Sequence, residues 1–112
     1  MLSMIARRFR ALGDPSRLRL IQLLESGEKT VGDLAQALDS KQPNVSKQLQ
    51  MLHEAGLVGR RREDNSIYYG IADPFVIKLC ELVCRRTTEQ AQEEFDELGA
   101  GAALFLHRKQ GS

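Results

Sequence analysis

Gln42, Asn44, Ser46, Lys47 and Gln50 crowd into one short stretch of the chain. Each side chain ends in a hydrogen-bond donor, and all but the lysine can also accept. Groups of that kind can read the edges of nucleic-acid bases, whereas an ordinary solvated helix face more often carries Glu and Lys pairs. Lys41 precedes them, and Arg60, Arg61 and Arg62 follow close behind with charge suited to phosphates. A second chemistry lies further on, at Cys80 and Cys84. At i, i+4 on a helix their Cβ atoms would stand about 5–6 Å apart. A disulfide needs about 3.5–4.5 Å, so a bridge within an intact helix would be strained. Two such thiols could grip one soft ion such as arsenite with a third ligand from elsewhere. They could instead face their twins across a dimer seam and report oxidation or persulfidation, or pack as small buried hydrophobes. Arg85 and Arg86 beside them are expected to lower a thiol pKa.

Catalytic patterns are weak by comparison. His53-Glu54 opens a zinc-protease motif, but Leu57 fills the second histidine position. Gly99-Ala100-Gly101 opens a dinucleotide loop, yet Leu104 fills the third glycine position and no strand precedes it. No Ser or Cys has a base beside it, so the chain is expected not to be an enzyme. The net charge of +1 hides a polarity along the chain. Basic residues gather around 41–62, while Glu89, Glu93, Glu94, Asp96 and Glu97 collect further on without a basic residue among them. Met1–Ala6 is too short for a signal peptide's apolar core and runs straight into Arg7-Arg8. Nothing approaches the ~20 apolar residues of a membrane span. The expected compartment is the cytoplasm, which the two closely spaced cysteines also suit.

The elements that must position these residues follow from periodicity and punctuation. At 112 residues and 42% hydrophobic, with few aromatics, the chain has one modest core of Leu, Ile, Val and Ala, which favours packed helices. Ile5, Phe9 and Leu12 predict a first helix from about Leu2 to Leu12. Asp14 and Pro15 suit the N-cap and first position of a second helix, which carries Leu18, Ile21 and Leu24 and closes at Gly27. Thr30 caps a third, with Asp33 placed for a capping box. Val45, Leu49 and Leu52 form the apolar stripe of a fourth helix, closed by Gly56 in the left-handed region, with Pro43, Lys47, Gln50 and Glu54 on its outer face. After Gly56 the period changes to two. Two strand candidates, Leu57–Glu63 and Ser66–Ile71, flank a tight Asp64-Asn65 turn. Asp73-Pro74 opens a long fifth helix expected to run to about Leu98, where Gly99-Ala100-Gly101 interrupts it. On that helix Phe75, Leu79, Leu82 and Val83 are expected to cover the domain's own core. Ile77, Cys80, Cys84, Thr87, Thr88 and Ala91 are left for a partner.

Together these elements predict a mainly α winged helix-turn-helix with a small β-hairpin, dimerising through its first and last helices. The expected division is a DNA-binding and dimerisation domain over 1–98 and a tail over 99–112. Lys41, Arg60, Arg61 and Arg62 are expected on phosphates. Gln42, Asn44, Ser46, Lys47 and Gln50 are expected on base edges, and Tyr68 of the wing is expected among the DNA-binding residues. A helix-turn-helix used only for protein contact is the rival expectation; it predicts no salt-dependent affinity for DNA.

Phe9-Arg10-Ala11-Leu12-Gly13-Asp14-Pro15-Ser16-Arg17-Leu18-Arg19-Leu20 resembles the opening signature of the ArsR/SmtB family of bacterial repressors. Val45 to Leu52 with Glu54-Ala55-Gly56-Leu57-Val58 resembles its recognition helix, and Arg61 to Tyr69 its wing. The resemblance spans roughly Ile5 to Leu82. It implies a homodimer that binds an imperfect palindrome in double-stranded DNA and represses transcription until an inducer releases it. The chain departs from the family's metal sensors. Val31-Gly32-Asp33-Leu34-Ala35 stands where their third helix carries a cysteine box, and His53 and His107 lack the ligand spacing of the other familiar site. No metal site is carried over. An arsenite-like thiophilic ligand at Cys80 and Cys84 is the one cofactor the sequence suggests.

Overall fold

Asp14 starts the second helix as expected, its carboxylate accepting the Arg17 amide at 3.2 Å with Pro15 in the first helical position. Thr30 and Asp33 close a full capping box: Thr30 Oγ1 accepts from the Asp33 amide and Asp33 Oδ2 from the Thr30 amide. These local decisions set the order α1 (Leu2–Leu12), α2 (Pro15–Leu24), β1 (Lys29–Thr30), α3 (Val31–Leu38), α4 (Gln42–Glu54), β2 (Val58–Glu63), β3 (Ser66–Ile71) and α5 (Phe75–Gln110). This computed structural model describes residues 1–110, with side chains through Asp96. Met1–Lys78 forms one unit, and the helix from Leu79 onward is a second.

The core of the first unit is aliphatic. Leu20, Ile21 and Leu24 of α2 meet Leu34 of α3 and Val45, Leu49 and Leu52 of α4, all essentially inaccessible to solvent. Val58, Tyr69 and Val76 close it from the sheet and the start of α5. The i, i+4, i+7 stripe of α4 is therefore the packing face, and it fixes which way the opposite face looks. The helix ends in a Schellman motif: Gly56 adopts φ +77°, its amide donating to His53 O at 2.9 Å while the Leu57 amide donates to Leu52 O at 3.0 Å.

β2 and β3 pair antiparallel from Val58↔Ile71 to Glu63↔Ser66, leaving Asp64 and Asn65 as a two-residue loop. Both loop residues have positive φ, 48° and 67°, the conformation a hairpin of this length demands. The sheet also holds a strand the sequence does not announce. β1 is only two residues, Lys29 and Thr30 opposite Tyr69 and Tyr68, and gives the order β1-β3-β2. A two-residue strand has no periodicity to detect.

Two expectations are corrected. α5 does not stop at Leu98; it continues as helix to Gln110 across Gly99 and Gly101. Glycine costs a helix interior about 1 kcal/mol but does not forbid it. Of Phe75, Leu79, Leu82 and Val83, expected over the core, Phe75, Leu82 and Val83 are 63%, 63% and 56% exposed and Leu79 is half-buried; among the described side chains of this helix the buried one is Val76. In α1, likewise, Ala11 and Leu12 are buried while Leu2, Ile5 and Phe9 form an exposed apolar stripe. Among the described residues those repeats are exposed.

Candidate nucleic-acid interface

α4 follows α3 after the short turn Asp39–Lys41, in which Asp39 takes the left-handed conformation (φ 51°) and the Ser40 amide returns to Ala35 O at 2.9 Å. With Val45, Leu49 and Leu52 buried, Gln42, Asn44, Ser46, Lys47 and Gln50 are all exposed. All five residues expected to read bases are thus open to solvent. Their commitments differ. Asn44 Nδ2 donates to Ser40 Oγ at 3.1 Å. The Gln42 amide nitrogen lies over α3, 3.6 Å from where a Cβ on Gly32 would stand. Gln50 is held at both ends: Nε2 donates to Glu54 Oε1 at 3.1 Å, and Oε1 accepts from Arg60 Nη1 of the wing at 3.4 Å. Among the described residues, the side chains of Lys41, Ser46, Lys47 and Arg62 make no hydrogen bond or ion pair.

Arg61, expected on a phosphate, is committed within the chain. Nε pairs with Glu28 at 2.8 Å, Nη1 binds Glu63, and the guanidinium sits 4.8 Å over the Tyr68 ring. Both carboxylates raise its pKa, the hydrogen bond to Glu63 first and Glu28 next. Arg61 is thereby a brace that ties the hairpin to the chain just before β1, with its charge already matched. Tyr68 is half-buried beneath it. Arg60 and Arg62 remain the wing's outward cations.

Arg17 was not expected in the site at all. It is half-buried, and its Nε donates to Ala11 O at 2.6 Å, Nη2 to Arg10 O at 3.2 Å and Nη1 to Gln48 Oε1 at 2.8 Å. One guanidinium caps the carbonyl end of α1 and fixes α4 against it. Its place in the quoted opening signature was the one available signal. His53 faces a packing edge, Nδ1 donating to Val58 O at 3.1 Å.

The thiols look different from their sequence. Cys80 is half-buried and Cys84 exposed, both free. Burial, and then the neighbouring Cys84, push the Cys80 thiol up. For Cys80 this is the reverse of the expected lowering by nearby arginines; one of them, Arg86, reaches Glu89 and Glu93 at 3.6 and 3.7 Å. Among the described residues no three His, Cys, Asp or Glu side chains gather as a metal site requires. No helix among them is long and apolar enough to cross a membrane.

A helix-turn-helix whose second helix shows a polar face, set beside an arginine-bearing hairpin, defines a winged helix-turn-helix domain of the DNA-binding class. Residues 14–59 match the profile described as "Bacterial regulatory protein, arsR family". The chain belongs to that family. It is 42% identical over 77 residues to a biofilm growth-associated repressor of Agrobacterium fabrum, covering 69% of this chain and 66% of that one. It is 44% identical over 75 residues to a transcriptional repressor SmtB homolog of Synechocystis, covering 67% and 57%. Among solved structures it resembles the homodimeric winged helix-turn-helix DNA-binding domain of a possible ArsR-family transcriptional regulator from Mycobacterium bovis. The TM-score is 0.77 with 36% identity, covering 82% of this chain and 85% of that one. The chain thus matches about three fifths of the length of these curated relatives.

Proposed function

We propose that this chain is a homodimeric transcriptional repressor that seats α4 in the major groove of operator DNA and is released by an inducer. The observation that carries the reading is the exposed polar face of α4, with Ser46 and Lys47 free of protein partners and the outward cations Arg60 and Arg62 beside it. Gln42, Asn44, Ser46, Lys47 and Gln50 read bases in this arrangement. Lys41, Arg60 and Arg62 hold phosphates, and Arg61 with Tyr68 keeps the wing in place. Gln50 can exchange its protein partners for a base edge, since both are exposed and water competes for them. Residues 1–98 carry these functions, which include no catalytic step, and the place of action is the cytoplasm. Uncovered apolar stripes on α1 and α5 support the dimer.

Fluorescence anisotropy on DNA from its own promoter tests the reading. Log affinity should fall linearly with log salt, by about 0.9 for each phosphate neutralised. Gln50→Ala should relax base preference while leaving non-specific binding nearly intact. Binding without salt dependence, or none, would leave a protein-contact module instead. For the inducer, Cys80 and Cys84 are the groups to test, with arsenite and a polysulfide added to wild type and to Cys84→Ser. Release of the wild type alone makes the pair a sensor. Indifference of both proteins makes the cysteines packing residues.

A further inference from the structure

α4 is bordered on its other side by a second set of arginines. Arg7 and Arg10 of α1, with Arg17 of α2, line an open groove of about 800 Å³ whose opposite wall is Met51 and Glu54 of α4. Three guanidinium groups there face one carboxylate, and Glu54 is itself held by Gln50. Arg7 and Arg10 are exposed, three residues apart on one side of α1, and make no ion pair among the described residues. They stand apart from the apolar stripe of Leu2, Ile5 and Phe9, which on a 100° wheel points elsewhere.

Gln50 and Met51 are adjacent and project about 100° apart. Gln50 meets Arg60 of the wing, whereas Met51 shares the groove with the α1 arginines, its Sδ accepting from Arg17 Nη1 at 3.5 Å. The recognition helix is therefore flanked by cations on both sides. A major groove about 12 Å wide has a phosphate strand along each edge, so a helix lying in it meets one backbone to the left and one to the right. We infer that Arg7 and Arg10 are DNA-phosphate contacts, gripping the strand opposite the one held by the wing. The groove is open and shares its wall with the helix that docks, so the charge brought closest to it on docking is the DNA backbone. The inference rests on the DNA-binding reading of the fold.

Salt titrations on a mixed-sequence duplex and on promoter DNA test it with Arg7→Ala, Arg10→Ala and the double variant. Each single change should lower the salt slope by about one, equally on both duplexes, and the double by about two. Arg10→Lys, which keeps the charge, should restore the wild-type slope. Arg8→Ala, on the same helix but outside the groove, should leave it unchanged. Wild-type slopes in Arg7→Ala and Arg10→Ala overturn the inference while leaving the DNA reading intact, and so does an equal loss in Arg8→Ala. A wild type that binds neither duplex overturns the DNA reading itself, and this inference with it.

Discussion

At the scale of single residues, the arginines differ in how far their donors and charge are already committed within the chain. Arg17 spends its donors inside the chain, on Ala11 O, Arg10 O and Gln48 Oε1. A hydrogen bond from a charged donor contributes about 1.5–3 kcal/mol, and truncation also leaves helix-end carbonyls without their partner. Arg17→Ala should therefore lower stability by about 2 kcal/mol in urea denaturation, and Gln48→Ala by about 1 kcal/mol. The double variant should show a coupling of about 1 kcal/mol. Strict additivity would mean that the two side chains do not act as one tie. Arg61 and Arg62 are neighbours with opposite circumstances. Arg62→Ala should reduce the salt slope of DNA binding by about one. Arg61→Ala should change it less, because Glu28 and Glu63 already match that charge. Equal slopes would show that Arg61 leaves its carboxylates for phosphate. The caps at Asp14 and Thr30 were legible in the sequence because donor and acceptor lie three residues apart. Arg17–Gln48 and Arg61–Glu28 were not, being 31 and 33 residues apart and brought together only by the fold.

Secondary-structure elements were legible wherever one strong local rule governed them. α1 through α4 carry caps or glycine stops, and the Asp64-Asn65 hairpin carries its positive-φ signature. β1 and the far end of α5 lacked such a signal, or carried a misleading one in Gly99-Ala100-Gly101. A subtler failure concerns faces. Helical spacing shows that Phe9 or Leu82 lies on an apolar stripe, but not whether the stripe is covered by the same chain or by another. The thiols of α5 belong at this scale too, since their neighbours are set by the helix. Cys80 has a raised pKa, so at neutral pH it holds less thiolate than a free cysteine. Thiolate is the reacting species. In a Cys84→Ser protein, iodoacetamide should therefore modify Cys80 more slowly than a model thiol at pH 7. Because burial, the larger cause, remains, the climb of its rate with pH should come at higher pH than the model thiol's. A rate at pH 7 equal to or above the model thiol's would show that the helix activates the sulfur, and would favour the sensor role.

For the whole molecule, the decisive feature is the apolar surface exposed among the described residues. Leu2 is 81% exposed, Ile5 40% and Phe9 58%, on one stripe of α1; Leu82 and Val83 are similarly open on α5. Removing such surface from water contributes about 25 cal/mol per Å², and a soluble monomer seldom leaves a contiguous patch of this kind. In the proposed twofold dimer this surface would meet its twin, and two recognition helices about 34 Å apart would reach successive major grooves on one side of a duplex. Phe9 sits in the exposed stripe and makes no contribution to the buried core, so Phe9→Glu places a charge where the partner should dock without disturbing the fold. Wild type should sediment as a dimer, and Phe9→Glu as a monomer with unchanged helical circular dichroism. Its affinity for a two-half-site operator should fall by about 10²–10⁴-fold, the advantage lost when a second contact is no longer tethered to the first. Its affinity for a single half-site should change little. A Phe9→Glu protein that stays dimeric would move the interface away from α1. A monomer that kept full operator affinity would show that one recognition helix, wing and arginine groove suffice for binding.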